Sequence, residues 1–204
     1  MTELRSYIVL DSLQEQLASF MASTVQGFMP VAGMASLFVE VGPGMEIVRL
    51  LDIALKATDV HPAIQVVERS FGTFEVHSES QANVRQAGDA VLKAMNWTEA
   101  DRQKPKIASS TIIRHVDAYQ AAIINKQRDG SMLLAGQTLF ILETQPALYA
   151  VLAANEAEKA SRVTLVDIRP FGAYGRLYLG GEEADVVVGS EAAVKALQGL
   201  SGRD

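Results

Sequence analysis

The sequence predicts an α+β fold built from two similar units, and two observations carry that prediction. First, residues 53–60 (Ile-Ala-Leu-Lys-Ala-Thr-Asp-Val) resemble residues 156–163 (Glu-Ala-Glu-Lys-Ala-Ser-Arg-Val), which aligns Lys56 with Lys159. Second, both copies present predicted elements in the same order, β-α-β-α-β-β-α. Self-similarity at a fixed period indicates duplication of one structural unit. Helices packed on an antiparallel sheet are the simplest way to bury the apolar faces of such a unit.

Each element has a local justification. Ala35–Val41 and its counterpart Gln137–Thr144 each have a continuous apolar run at their centre, Leu37–Val39 and Leu139–Leu142, which is typical of a strand covered on both faces. A helix follows, with a proline expected in its first turn, where the missing N–H does no harm. The other predicted elements are strands Ser6–Leu10 and Ser110–Arg114, helices Ser12–Val25 and Asp117–Lys126, strand pairs His61–Val67 with Thr73–His77 and Val163–Ile168 with Arg176–Leu179, and closing helices that carry Val84, Val91 and Met95 or Val186, Ala193 and Leu197.

The repeat also predicts the domain limits. A first domain is expected over residues 1–97, a charged connection over 98–106, and a second domain over 107–204. Lys56 and Lys159 lie 103 residues apart, whereas the closing helices align at an offset of 102. We therefore expect the second copy to lack one residue, in the stretch equivalent to 64–73.

Composition excludes several classes of protein. The formal net charge is −6, which argues against binding to a nucleic acid because phosphate neutralisation needs clustered Lys and Arg. The chain has no Cys, so disulfides, iron–sulfur clusters and thiolate zinc sites are excluded. No apolar stretch is long enough to span a bilayer, and the first residues are too polar for a signal peptide. The expectation is a compact cytoplasmic protein.

Signals for chemistry are weak. The Gly-rich turn Val41-Gly-Pro-Gly44 precedes a helix, but the second copy has Thr144-Gln-Pro-Ala147, so a shared helix start explains it better than phosphate binding. The three histidines, His61, His77 and His115, are not repeated and do not have metal-ligand spacing. Glu40 and Glu143 are equivalent, and a structural role is favoured for both. The sequence thus predicts no catalytic residue, no metal site and no cofactor.

Four segments resemble bacterial microcompartment shell domains. They are Leu37-Phe-Val-Glu40, Ala54-Leu-Lys-Ala-Thr-Asp-Val60, Val66-Val-Glu-Arg-Ser-Phe-Gly72 and Val91-Leu-Lys-Ala-Met95. The second copy repeats the first three as Leu139-Phe-Ile-Leu-Glu-Thr144, Ala157-Glu-Lys-Ala-Ser-Arg-Val163 and Ile168-Arg-Pro-Phe-Gly172. The order of elements is similar to circularly permuted tandem members of that family, in which three chains form a six-sided tile.

The resemblance implies roles for particular residues. Lys56, Lys159 and Arg114 match positions at the edge where tiles meet. The loop between the third and fourth strands of each unit points at the symmetry axis in the family, and a Glu-Arg pair there implies a pore that opens and closes. The implied pore residues are Glu68, Arg69, Ser70, Phe71 and Gly72 in the first copy and Arg169, Pro170, Phe171 and Gly172 in the second.

The resemblance also implies partners. These are two further copies in a homotrimer, the hexamers and pentamers of the same shell, and small metabolites that cross the pore. Whether two trimers stack stays open. Two alternatives remain: an oligomeric regulator that binds a small molecule between subunits, and an enzyme that uses Glu40 or Glu143 as a base, for which no orienting partner is evident.

Overall fold

The computed structural model describes residues 2–204. Spatial contacts divide the chain into two units. The first comprises the residues up to Lys104 together with Ser201–Asp204, and the second comprises Pro105–Leu200. The division falls within the predicted connection, 98–106. Gln103 forms a parallel bridge with Arg203, which attaches the C-terminal residues to the first unit.

The first unit is an antiparallel four-stranded sheet with helices. Its sheet has the strand order β1-β2-β4-β3. A short 3₁₀ turn, Glu99–Asp101, follows the last helix. The elements are β1 (Glu3–Leu10), α1 (Glu15–Thr24), β2 (Ala35–Gly42), α2 (Glu46–Ala57), β3 (His61–Glu68), β4 (Phe71–Ser78) and α3 (Gln81–Met95).

The second unit repeats this arrangement, with the strand order β5-β6-β8-β7. The α+β architecture and the element order predicted from the sequence are therefore confirmed. The elements are β5 (Lys106–Ile113), α4 (Ala118–Asn125), β6 (Thr138–Gln145), α5 (Tyr149–Ala160), β7 (Thr164–Arg169), β8 (Gly175–Gly181) and α6 (Glu183–Gln198).

The core of the first unit lies between one face of its sheet and helices α2 and α3. Leu37, Val39 and Val76 on the sheet belong to one buried apolar cluster with Leu50 of α2 and Val91 of α3. These side chains are 0% exposed. Alternate residues of a strand share a face, so the same strands direct a second set of side chains to the opposite face.

The strand registers correct the position of the missing residue. Ala35 pairs with Ser78 and Thr138 with Gly181, so the offset of 103 continues to the end of the sheet. The helices that follow have Ser80 and Glu182 as N-caps, at an offset of 102. The residue is therefore lost in the turn after Ser78, and the expectation of a loss within 64–73 is wrong. A turn tolerates a deletion that a paired strand does not, because a slip of one residue moves every side chain to the other face.

Two local expectations also change. Helix α2 begins at Glu46, so Pro43 lies in the turn before the helix and not in its first turn; Pro146 likewise precedes α5. Helix α1 begins at Glu15 instead of Ser12. Leu13 exchanges backbone hydrogen bonds with the loop instead: its N–H donates to Met34 and its carbonyl accepts from Gly33.

Candidate functional site

The candidate pore segment of the first unit is a tight hairpin. Strand β3 ends at Glu68 and β4 begins at Phe71, so Arg69 and Ser70 alone form the turn. Arg69 has a φ of 53°, in the left-handed region that is unfavourable for a residue with a Cβ atom. Two-residue hairpin turns require such a conformation because it matches the twist of the strands. We call residues Glu68–Gly72 the charged hairpin.

The tip of the charged hairpin is open to solvent. The Arg69 side chain is 90% exposed and that of Glu68 is 50% exposed. Arg69 Nε lies 3.8 Å from Glu68 Oε1, at the outer limit of an ion pair. An exposed pair at this distance contributes little to stability, so neither side chain is held strongly in place.

The base of the charged hairpin is packed tightly. A Cβ atom on Gly72 would lie 2.0 Å from the carbonyl oxygen of Gly44, so only glycine fits at position 72. This contact also accounts for the Gly-rich turn before α2, which brings its backbone against the hairpin. A cavity of about 490 Å³ lies beside the turn, lined among others by Glu3, Met45 and Ser70.

A buried ion pair lies next to the charged hairpin. Arg5 Nε donates to Glu40 Oε1 at 2.6 Å, and their side chains are 7% and 2% exposed. The Arg5 guanidinium also stacks on the Phe71 ring, with Cζ 3.5 Å from the ring centroid. In the second unit Glu143 is bound instead by Arg176 Nε at 2.8 Å, which raises the pKa of that guanidinium. Both equivalent glutamates therefore have a guanidinium partner, which the sequence analysis did not identify.

The loop of the second unit has the same number of residues between equivalent strand positions as the first, but fewer of them are paired and the unpaired ones carry no charge. Val66 pairs with Thr73, and Arg169 pairs with Arg176 at the same register, so Arg169 is equivalent to Val66. Gly172, with a φ of 98°, then occupies the position of Arg69. The uncharged residues 170–174 form the loop. Sequence reasoning did not select the exposed Ala173 and Tyr174, which this register makes equivalent to Ser70 and Phe71.

Arg169 lies at the base of that loop and is held there. Its guanidinium contacts Asp167 at 2.8 Å and Asp129 at 2.9 Å, and it donates to the carbonyl of Gln127. These contacts join the end of β7 to the segment after α4. Pro170 is buried, while Phe171 and Gly172 are partly exposed.

The predicted edge residues lie on the surface with local partners. Lys56 Nζ is 2.6 Å from Asp52 one turn earlier, and Lys159 Nζ is 2.8 Å from Glu156. Each lysine lies in the last turn of its helix, α2 or α5, where the helix dipole favours a cation. Arg114 pairs with Glu183 at the start of α6.

The sheet of the first unit buries a polar cluster that the sequence did not reveal. The Glu75 carboxylate accepts from the Ser36 hydroxyl and, at 3.2 Å, from the backbone N–H of Ala63. His77 Nδ1 lies 3.2 Å from the same carboxylate. Register equivalence places Leu139, Tyr178 and Gly180 at these positions in the second unit, so the cluster is not duplicated.

The described residues contain no group of three or more His, Asp and Glu side chains arranged to hold a metal ion. Across residues 2–204, no helix combines the length and the apolar character needed to cross a membrane.

Comparisons with known proteins agree with this architecture. A family model described as the CsoS1D N-terminal domain matches residues 4–101. The carboxysome shell protein CcmP of Synechococcus elongatus is 56% identical over 202 residues, which cover 99% of this chain and 95% of that protein. The carboxysome shell protein CsoS1D of Hydrogenovibrio crunogenus is 50% identical over 204 residues, the full length of both.

Two solved structures superpose on the whole chain. A fused permuted hexameric shell protein from the RMM microcompartment has a TM-score of 0.96 at 45% identity, and the match covers 99% of this chain and 100% of that one. A double ringed trimeric shell protein from the RMM microcompartment has a TM-score of 0.96 at 39% identity, covering 100% and 99%.

The duplicated fold and these matches define a class: structural shell proteins of bacterial microcompartments, built from two fused, permuted domains. Within that class, the chain belongs to the carboxysome shell protein family that includes CcmP and CsoS1D. The resemblance inferred from the sequence is therefore confirmed, as is a structural role in a shell. The alternative of a small-molecule-binding regulator finds no support in the matches.

Proposed function

We propose that three copies of this chain form a six-sided tile of the carboxysome shell, inside the cytoplasm, with a central pore for metabolites. Two fused domains per chain supply six domains to a closed ring of three, which is a symmetric and self-limiting assembly. The domains are proposed to be residues 1–97 and 107–204, joined through 98–106. Similarity to a double ringed trimeric shell protein supports the trimer and permits stacking of two rings. The tile has no catalytic role.

The pore is proposed to open and close through the charged hairpin. The observation that carries this proposal is its geometry: Glu68 and Arg69 stand at an exposed two-residue turn, with only a 3.8 Å contact between them. Three hairpins at a threefold axis would place three carboxylates and three guanidinium groups within reach of one another. Pairing between chains closes the opening, and rotation of the turn withdraws both charges.

The second unit contributes an uncharged wall to the same opening. Loop residues Pro170, Phe171 and Gly172 alternate with the charged hairpins around the proposed axis, and Arg169 anchors each loop at its base. The ring of fixed charge therefore comes from the first unit alone. Charged groups in a narrow mouth bias which ions and metabolites enter.

The variant Glu68→Ala tests the pore. Removing the Glu68 carboxylate of one chain leaves Arg69 of the next chain without its proposed partner. We therefore expect a larger share of open rings in cryo-electron microscopy of the assembled protein. Glu79→Ala removes an exposed carboxylate at the other end of β4 and is the matched control. A pore that stays shut in Glu68→Ala to the same extent as in Glu79→Ala would refute the gate.

The solution mass tests the tile. One chain has a mass of 22.0 kDa, so light scattering should give about 66 kDa for a trimer, or twice that value for stacked rings. A stable monomer or dimer would contradict the proposal.

The tile edges are proposed to carry Lys56, Lys159 and Arg114 against the hexamers and pentamers of the shell. Lys159→Glu should weaken the assembly of tiles into flat layers, because it places a second carboxylate beside Glu156 and introduces repulsion at the tile edge. Lys126→Glu makes the same change of charge at a lysine directly after α4 and should leave the layers of tiles intact in electron micrographs. Equal loss of layers in both variants would indicate a general effect of charge instead.

A further inference from the structure

Arg5 is a buried guanidinium with contacts of two kinds. Its Nε donates to Glu40 at 2.6 Å, and its face lies 3.5 Å from the centroid of the Phe71 ring. The residue as a whole is 6% exposed. One terminal nitrogen, Nη2, is buried without a hydrogen-bond partner among the described residues. Arg5 therefore combines a strong ion pair, a stacked ring and one unmet donor.

The stacked ring belongs to the charged hairpin. Phe71 is the first residue of β4 and directly follows the turn formed by Arg69 and Ser70. A guanidinium over an aromatic face is attracted by the ring quadrupole, and the attraction is largest where water is excluded. The Arg5–Phe71 contact is thus a link between the sheet interior and the exposed Glu68–Arg69 tip.

The observed hairpin conformation carries two unfavourable terms. Arg69 has a positive φ, and Arg5 Nη2 is a buried donor without an acceptor. Tight packing of Gly44 against Gly72 fixes the base of the hairpin, so a rearrangement must occur in residues 68–71. The adjoining cavity of about 490 Å³, lined by Arg69, Ser70 and Phe71, provides space for it.

The second unit lacks this arrangement. Ala108 occupies the position of Arg5, at the same irregularity in the β5–β6 register, and the partner of Glu143 comes from β8 instead. The uncharged loop 170–174 has no buried guanidinium of this kind to hold it.

We propose that Arg5 is a positioning residue that holds Phe71, and through it the charged hairpin, in the conformation seen here. Breaking the Arg5–Phe71 contact frees Glu68 and Arg69 to turn. Any effect of Arg5 on the passage of metabolites rests on the proposed pore gate. The Arg5–Phe71 contact itself can be tested without it.

Hydrogen exchange on the assembled protein tests the contact. Phe71→Leu keeps an apolar side chain and removes the aromatic face, so the amides of residues 67–72 should exchange about tenfold faster. Phe71→Tyr keeps the face and should restore the slow rate. Arg5→Lys retains a cation for Glu40 but loses the planar group; combined with Phe71→Leu, it should add little to the single change. Arg176→Lys is the matched control and should leave these amides unaffected.

The results of these experiments distinguish failure of the Arg5 positioning role from failure of the pore gate. Unchanged exchange in Phe71→Leu, or an equal increase throughout the sheet, would overturn the positioning role even if Glu68→Ala opens the pore. Faster exchange confined to residues 67–72 supports the role. Cryo-electron microscopy of Phe71→Leu then tests the gate. Hairpins displaced at the threefold axis would support the gate. Hairpins that lie far from any pore would refute the gate and leave the positioning role of Arg5 intact.

Discussion

Glu40 and Glu143 occupy equivalent positions, yet their replacement by alanine should have very different effects on stability. Glu40 and its partner Arg5 have side chains 2% and 7% exposed, whereas Glu143 and Arg176 are 33% and 48% exposed. Glu40→Ala leaves the Arg5 guanidinium buried without a counter-charge. Glu143→Ala leaves Arg176 at the surface, where water replaces the carboxylate.

The expected magnitudes follow from burial. Removing one partner of a buried ion pair lowers the free energy of unfolding by about 3–5 kcal/mol. Removing one partner of an exposed pair lowers it by about 0–1 kcal/mol. For a chain of this size about 1 kcal/mol corresponds to roughly 2–4 °C in Tm. Glu40→Ala should therefore lower Tm by at least about 6 °C, and Glu143→Ala by no more than about 4 °C.

Thermal unfolding followed by circular dichroism, at one protein concentration for all variants, measures the difference. Raising the salt concentration should reduce the effect of Glu143→Ala and leave that of Glu40→Ala nearly unchanged, because buried pairs are screened less. The double variant Arg5→Met/Glu40→Leu should recover much of the loss, since it removes both charges together. Equal losses for the two single variants, or no recovery in the double variant, would refute this account.

Three further predictions rest on backbone and burial. Gly72→Ala should lower the free energy of unfolding by about 2–3 kcal/mol, because its Cβ would meet the Gly44 carbonyl at 2.0 Å; Gly199→Ala, whose Cβ contacts begin at 3.4 Å, should be nearly neutral in the same urea titration. Arg69→Gly should raise Tm by about 2–4 °C, because glycine adopts the positive φ at this position without the steric strain of a Cβ atom, whereas Arg69→Ala should leave Tm unchanged. A matching rise in both variants would argue against strain at this turn. Burial, with Glu99 and Asp89 adding to it, raises the pKa of the Tyr7 phenol. The unfolded chain therefore releases this proton at lower pH than the folded chain, so stability should fall as pH rises above about 10, and less steeply in Tyr7→Phe; parallel declines would show that Tyr7 is not responsible.

Much of the fold was predictable because it depends on patterns local to each segment. The run Ala35–Val41 is apolar except at Ser36 and Glu40 and forms an internal strand of its sheet. The repeated order of elements predicted two sheets of the same design. The Glu-Arg pair before Gly72 was identified as the candidate gate by resemblance, and the structure shows that both side chains are at an exposed turn.

Other features depended on strand register, which a local pattern does not determine. Leu4 and Tyr7 both belong to the core cluster although they are three residues apart, because the register shifts between Leu4 and Ser6. Alternation alone would place them on opposite faces. Strand register also decides the equivalence of the two hairpins: Gly172, and not Arg169, is the residue of the second copy that corresponds to Arg69.

By itself the sequence determined the duplicated α+β fold, because repeat order, apolar runs and turn residues are properties of short segments, and the resemblance of its motifs to shell domains implied the role. Only the tertiary structure decided which charges meet. Arg5 reaches Glu40 and Phe71 because an extra residue in β1 turns its side chain toward them, across 35 residues of sequence in the case of Glu40. Such contacts arise from the packing of distant strands, and no periodicity along the chain encodes them.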